Sequence, residues 1–294
     1  MENLSAQQHL LPPVIFLAML AVGMELRLGH FRELFQAPKV PIVGTLIHSL
    51  TFPLLAVSGV VIVQLLGFSL AEATVIGVLL IAACPSGGFS NILTMMAKAN
   101  LPLSVVLTAV SSILSFVSVP VLMSSFGLLV TELQGPVSLP VAQTLIQLLI
   151  LILIPVIGGM LMAEKLTWLS DERIAKLQAR SQLLLYIVVA MIIAENWTLM
   201  VAGFWAALPW SAGLCIGNIG CCFLLSRFAG LKTEDAITVA LEGSIRNVGV
   251  AFLIAANSLD RMDIAVLPTV YFLSVLVFSI LFAKNWRRLP GFTP

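Results

Sequence analysis

Long apolar runs separated by short polar segments dominate the chain from end to end. A membrane-spanning helix needs about 17 to 25 mostly apolar residues, and these runs reach that length. We predict nine spans, which cover residues 10–28, 40–66, 71–98, 101–126, 138–163, 178–195, 199–227, 232–257 and 264–284. The pattern therefore predicts an all-α polytopic membrane protein in which residues 1–294 form a single transmembrane domain.

The third and eighth predicted spans each contain a segment that should interrupt a helix. In the third span a proline without an N–H group is followed closely by two glycines, and both residue types favour unwinding. The eighth span carries a group of polar residues at its middle, residues 242–247. The predicted helix-break residues are Pro85, Gly87, Gly88 and Gly243. Two ordinary kinks are the alternative, but kinks alone leave Glu242 and Arg246 unexplained.

The two interruptions lie five spans apart, so their helices run in opposite directions. This predicts inverted repeats over residues 10–126 and 178–284, with the helix at 138–163 unpaired. Irregular backbone at membrane depth is tolerated where it is buried in protein or lines a cavity. Paired broken helices are typical of the binding site of a secondary transporter.

Composition and charge agree with the membrane class. Hydrophobic residues make up 60% of the chain and charged residues 10%, against about 25% charged residues in soluble domains. A formal net charge of +1 leaves no basic surface for nucleic acid. With the N-terminus outside, every Lys and Arg except Arg246 and Arg261 falls on the inner side. We expect an integral protein of a bacterial inner membrane, in contact with lipid, with a cytoplasmic C-terminus.

Glu242 carries the strongest chemical signal, because a carboxylate in the middle of a span costs about 2.5–3.5 kcal/mol on insertion scales. Arg246 lies one helical turn later on the same face and is the predicted partner. One interpretation is a closed structural ion pair. The other is a carboxylate that neutralises a transported cation. Glu25, by contrast, falls at the inner end of the first span, where its side chain can extend to the membrane surface.

Hydroxyl and amide side chains follow the first interruption. Ser104 and Thr108 are four residues apart, which puts both hydroxyls on one helix face. Sodium is a hard cation that favours several oxygen ligands. The predicted sodium ligands are Ser90, Asn91, Ser104, Thr108 and Glu242. Taken singly, a Ser or Thr in a spanning helix more often bonds its own backbone or a neighbouring helix.

Segments 84–91, 97–100 and 242–247, together with 23–26, resemble the bile acid:sodium symporter family in order and spacing. The resemblance covers nearly the whole chain, less one N-terminal helix of the ten-span members. It implies a sodium-coupled carrier of organic anions that works by alternating access. It also implies a core domain built on the crossed helices and a smaller panel domain. The family's first sodium site falls on the same five residues.

The family's second sodium site does not match. Where members have two glutamines, this chain has His48 and Arg246, and neither suits a cation site. We therefore expect one sodium ion in this chain, with Arg246 in place of the second. We expect Asn247, Arg246 and His48 to face the substrate, although His48 can equally be a packing residue.

The predicted function is sodium-coupled symport of a small organic anion. A proton-coupled or uncoupled carrier of the same kind of substrate is the alternative. A membrane-embedded enzyme is disfavoured, because the chain has no Ser/His/Asp or HExxH-like pattern. A channel would need a continuous polar stripe along several helices, and the spans are too apolar for one.

Overall fold

A computed structural model describes residues 9–25, 38–134, 141–166 and 170–288, and within them the chain is helical with short connections. The helices are α1 (Leu11–Glu25), α2 (Lys39–Leu65), α3 (Glu72–Ala83), α4 (Phe89–Ala97), α5 (Leu101–Gln134), α6 (Val141–Leu148), α7 (Ile154–Lys165), α8 (Asp171–Glu195), α9 (Trp197–Phe228), α10 (Thr233–Ser244), α11 (Val248–Leu253) and α12 (Val266–Asn285). A π-helical turn, Leu149–Leu153, joins α6 to α7, and a second, Ile254–Ser258, follows α11.

Several of these helices are long and apolar enough to cross a membrane. In the described part of the chain five meet that condition, and they are Lys39–Leu65, Ala142–Lys165, Glu172–Glu195, Trp197–Phe228 and Val266–Asn285. A sixth is α5 if its two arms, which meet at 59°, form one span. The protein is thus polytopic and all-helical in its described residues. The count of nine spans stays a prediction, and parts of two predicted spans, residues 26–28 and 138–140, lie outside the described residues.

The third and eighth predicted spans fold as pairs of short helices. Between α3 and α4 the backbone at 84–88 is not helical, and the same holds at 245–247 between α10 and α11. These two segments pair in antiparallel fashion: the Gly87 N–H donates to Ile245 O (3.2 Å), and the Asn247 N–H donates to Pro85 O (2.8 Å). The pairing satisfies backbone groups that the interrupted helices leave open. We call these two segments the crossing.

Gly243 does not lie in the interruption, contrary to its predicted role. Helix α10 continues through it to Ser244. A Cβ atom here would lie 2.7 Å from Cys222 Sγ and 3.0 Å from Asn218 Nδ2, both on α9. The glycine therefore permits close packing of α9 on α10, and the unwinding falls after it.

Helix α1 packs mainly against α7 and α8, and we call these three helices the α1–α7–α8 unit. Within it, glycines bring two backbones together, because Gly23 faces Val156 O and Gly159 faces Leu20 O. Small residues at such contacts are typical of packed membrane helices. Helix α9 packs on α10 and α12, and α2 packs on α9 and α10. The crossing lies where α8 and α1 approach α11 and α4.

Candidate functional site

The carboxylate of Glu242 is the centre of the candidate site. It sits near the C-terminal end of α10 and is fully buried. Ser104 Oγ donates to its Oε1 at 2.5 Å, and Thr108 Oγ1 lies 3.0 Å from both carboxylate oxygens. The two hydroxyls reach the same carboxylate because they share one face of α5.

Helix α4 completes this group from the other side. Ser90 Oγ donates to Gly87 O (2.9 Å) and lies 3.2 Å from Thr108 Oγ1. Asn91 Oδ1 lies 2.9 Å from Ser104 Oγ. The five residues that the sequence suggests as sodium ligands thus lie in one buried group, which we call the Glu242 cluster. Their role as ligands stays a prediction.

Three further hydroxyls belong to this region and were missed from the sequence. Thr94 Oγ1 donates to Ser104 Oγ at 3.2 Å, and Thr94 lies one turn after Ser90 and Asn91 on the buried face of α4. That helical spacing could have identified it. Ser86 pairs with Ser111 at 2.7 Å between their hydroxyl oxygens, and only the tertiary structure brings these two together.

The predicted pairing of Glu242 with Arg246 is wrong in its geometry. Helix α10 ends at Ser244, so the two residues do not share a helical face. Arg246 instead donates to Cys84 O (3.1 Å) and to His48 O (2.9 Å), and its guanidinium lies 4.6 Å from the centre of the Phe52 ring. Main-chain oxygens and an aromatic face therefore hold this buried cation.

Among the described residues, no Lys, Arg or His lies within ion-pair distance of the Glu242 carboxylate. A buried charge without a partner is costly, so such a group binds a cation or takes up a proton. Hydroxyl and amide oxygens that contact the carboxylate suit a hard cation such as sodium. No cluster of three His, Cys, Asp or Glu side chains suited to a metal occurs in the described ranges.

His48 and Asn247 are the other two residues predicted to face the substrate. His48 is buried, and its carbonyl rather than its ring contacts Arg246; neither ring nitrogen has a hydrogen-bond partner in the described residues. Asn247 Oδ1 accepts from the Val250 N–H at 3.3 Å and so caps α11. Of the three, Arg246 lines a cavity near the crossing.

That cavity is a cleft of about 460 Å³ beside the crossing. Its walls come from α2, the C-terminal end of α3 and α5, and they are mostly apolar. The polar side chains in its lining are Thr45, Ser49, Ser111, Ser118 and Arg246. Since no carboxylate lines it, the cleft carries the positive charge of Arg246, and an anion fits it better than a cation.

The opposite face of the crossing meets α8 and α1. A Cβ at Gly88 would lie 2.8 Å from Gln178 Nε2, which has no partner in the described residues, and 3.6 Å from Gln182 Oε1. Glu25 accepts a hydrogen bond from Asn91 Nδ2 at 3.2 Å. Gln178, Gln182 and Glu25 were not among the predicted site residues. Glu25 in particular contacts Asn91 of the Glu242 cluster.

Two broken helices that cross at their interruptions, with a buried carboxylate beside them, are typical of secondary transporters. Within that class the chain belongs to the sodium bile acid symporter family, whose model matches residues 12–203. The resemblance drawn from the motifs is thereby confirmed.

The relatives agree with this assignment. Over 283 residues the chain is 27% identical to the probable sodium/metabolite cotransporter BASS1, chloroplastic, of Oryza sativa subsp. japonica, covering 94% of this chain and 65% of that protein. It is 33% identical over 149 residues to the uncharacterized sodium-dependent transporter YocS of Bacillus subtilis (strain 168), covering 50% and 43%. It is 26% identical over 275 residues to the ileal sodium/bile acid cotransporter of Cricetulus griseus, covering 92% and 75%. The chain spans less than two thirds of the length of the first two relatives.

Proposed function

We propose that this protein is a sodium-coupled symporter that carries a small organic anion across a bacterial inner membrane by alternating access. The observation that carries the proposal is the Glu242 carboxylate, which is fully buried among hydroxyl and amide oxygens without a cationic side chain as partner in the described residues. Sodium bound there neutralises the carboxylate and takes its ligands from α4, α5 and α10. Membership of a family of symporters supports the same conclusion.

The anion binds next to the crossing. Arg246 supplies a fixed positive charge on the side of the cleft, and the unpartnered Gln178 Nε2 supplies a donor on the side of α8. We assign the α1–α7–α8 unit to the moving panel domain and the crossed helices to the core domain. Movement between the two exposes the crossing to one side of the membrane at a time, and sodium favours the conformation in which its ligands are together.

Sodium-dependent stabilisation of the purified protein tests the site first. Thermal unfolding is measured in sodium chloride and in choline chloride at equal ionic strength. An ion that binds the folded state raises the stability of that state by mass action. Glu242→Ala and Asn91→Ala should lose the sodium effect, whereas Cys221→Ala, a matched change outside the cluster, should keep it. If Glu242→Ala keeps the full sodium effect, the site is wrong.

Transport itself is tested after a substrate is found by screening organic acids for added stabilisation with and without sodium. In proteoliposomes, an inward sodium gradient should drive uptake of that acid. A pH gradient that drives uptake equally well without sodium would replace the proposal by proton coupling at Glu242. Uptake independent of either gradient would indicate an uncoupled carrier.

We further propose a single sodium ion per cycle, with Arg246 acting as a built-in cation. In support, the Arg246 guanidinium already donates to the main-chain oxygens of Cys84 and His48. A sodium ion about 4–5 Å from the guanidinium would meet a repulsion of roughly 3–4 kcal/mol at an effective dielectric constant near 20. Glu242, Arg246 and one sodium together leave a formal charge of +1 to attract a monovalent anion.

With this stoichiometry, the rate of uptake should depend on sodium concentration with a Hill coefficient near one. Transport of a monovalent anion should be electroneutral. Arg246→Gln should lose coupling, and the double variant with His48→Gln should regain a second sodium. Calorimetry that finds two sodium ions on the unmutated protein would contradict the assignment.

We propose nine spans with the N-terminus outside and the C-terminus in the cytoplasm, so that the 164–180 loop lies inside. The test is labelling of single cysteines introduced at Ser5 and at Ser170 with an impermeant reagent applied from each face. Labelling of both positions from the same side would contradict nine spans.

A further inference from the structure

We propose that Glu25 is a positioning residue for the Glu242 cluster: its carboxylate, on α1, fixes the Asn91 amide so that Oδ1 faces the cation. It thereby couples sodium binding to docking of the α1–α7–α8 unit. This inference rests on the sodium site of the proposed function, but it assigns a role to a residue outside that site.

The Asn91 side chain bridges two different groups through its two ends. Its Nδ2 donates to Glu25 Oε2 at 3.2 Å, while its Oδ1 lies 2.9 Å from Ser104 Oγ. Ser104 in turn lies 2.5 Å from Glu242 Oε1. A hydroxyl has one proton to donate, so Ser104 cannot satisfy Asn91 and Glu242 at the same time. A cation between these oxygens removes the competition, because each can then turn a lone pair to it.

An asparagine amide can rotate so that its oxygen and nitrogen exchange places. An NH2 group that faces the cluster would present positive partial charge to a cation and remove one ligand. Glu25 Oε2 accepts from Nδ2, so Glu25 stabilises the orientation in which Nδ2 points at α1. Since Asn91 is 92% buried, water has little access to take over this role.

The contact also joins two parts of the fold. Glu25 is the last residue of α1, which packs mainly on α7 and α8, whereas the Glu242 cluster comes from α4, α5 and α10. The Asn91–Glu25 hydrogen bond is made only while α1 is docked against α4. Sodium should therefore bind more tightly when the unit is docked, and by reciprocity sodium should favour docking.

The experiment measures the apparent sodium affinity from thermal stabilisation of the full-length protein in sodium against choline, for Glu25→Leu and Glu25→Gln. Leucine removes the acceptor. Glutamine keeps an oxygen that can accept from Asn91 Nδ2. We expect Glu25→Leu to raise the sodium Kd about tenfold or more, as loss of a residue that orients a metal ligand usually does, and Glu25→Gln to raise it much less. In choline, Glu25→Leu should melt lower than Glu25→Gln, because leucine leaves the buried Asn91 Nδ2 without an acceptor. The effect of sodium on each variant is therefore measured against that variant's own midpoint in choline.

The outcomes are separable. Sodium affinity in Glu25→Leu equal to that of the unmutated protein would overturn the inference and leave the proposed function standing. Equal loss in the leucine and glutamine variants would also overturn it, because a pure charge effect would then explain the result. Absence of any sodium effect in the unmutated protein would remove the proposed sodium site itself.

Asn91→Asp provides a second test that does not depend on how Glu25→Leu folds. An aspartate offers oxygen at both ends and needs no orienting partner. Next to the unchanged Glu25 it should weaken sodium binding or folding, since two carboxylates would then face each other. Combined with Glu25→Leu it should restore sodium affinity. If Asn91→Asp has the same effect in both backgrounds, Glu25 does not act through Asn91.

Discussion

The contact between α1 and α7 provides the sharpest test of the packing. At Gly159 on α7 an added Cβ would lie 2.1 Å from Leu20 O and 2.9 Å from Met24 N, both backbone atoms of α1. The neighbouring Gly158 offers a matched control, because a Cβ there meets only Leu20 Cδ1, at 3.8 Å. We expect Gly159→Ala to destabilise the protein and Gly158→Ala to leave it unchanged or more stable.

The size of the effect follows from these distances. Ordinary contacts of a Cβ atom lie at about 3.4–4 Å, so the two helix backbones must separate by roughly 1 Å to accept the methyl group of Gly159→Ala. Overpacking of this kind costs about 1–3 kcal/mol. On the scale of about 2–4 °C per kcal/mol for large domains, the apparent midpoint of thermal unfolding should fall by roughly 2 to 12 °C. In the control, replacement of glycine by alanine in a helix is favourable by up to about 1 kcal/mol.

Thermal unfolding of the two purified variants, in sodium and in choline, measures both effects. Because α1 also carries Glu25, Gly159→Ala should reduce the sodium stabilisation as well as the midpoint, whereas Gly158→Ala should reduce neither. Midpoints within 1 °C or so of each other for the two variants would refute the close backbone contact between α1 and α7.

Two further predictions concern groups away from that contact. Tyr271→Phe should cost about 1–3 kcal/mol in thermal unfolding, because the Tyr271 hydroxyl donates to the buried Ser244 O at 2.5 Å and its loss leaves that carbonyl unpaired; an unchanged midpoint would contradict this. Between the predicted eighth and ninth spans, hydrogen bonds from Arg261 hold the pKa of Asp263 below its usual value. The pair therefore stabilises the protein above the ordinary pKa of an aspartate, about 3.9, and this stabilisation is lost as pH falls through the lower pKa of the folded state. Arg261→Gln should reduce the loss of thermal stability at acid pH, and 1 M salt should do the same because the pair is partly exposed. An equal loss of stability at acid pH with and without Arg261 would disprove the role of the pair.

Local sequence patterns were sufficient for the class of protein and for much of the site. Runs of apolar residues predict membrane helices because the bilayer requires both apolar side chains and internally paired backbone. The proline at position 85 predicts a helix interruption because it lacks an N–H group. Ser104 and Thr108 are brought together by helical spacing alone, so their approach to a common partner needed no tertiary information beyond the choice of that partner.

The partners of the charged side chains were decided only by the tertiary structure. Four-residue spacing predicts that Arg246 meets Glu242, but the helix ends between them, and the long guanidinium side chain reaches Cys84 O and His48 O instead. Glu25 contacts Asn91, 66 residues later in the chain. Spacing rules apply only while one helix continues, whereas a buried charge binds whichever polar atoms the packing of distant segments brings within reach. The fold therefore determines which charges of this protein meet.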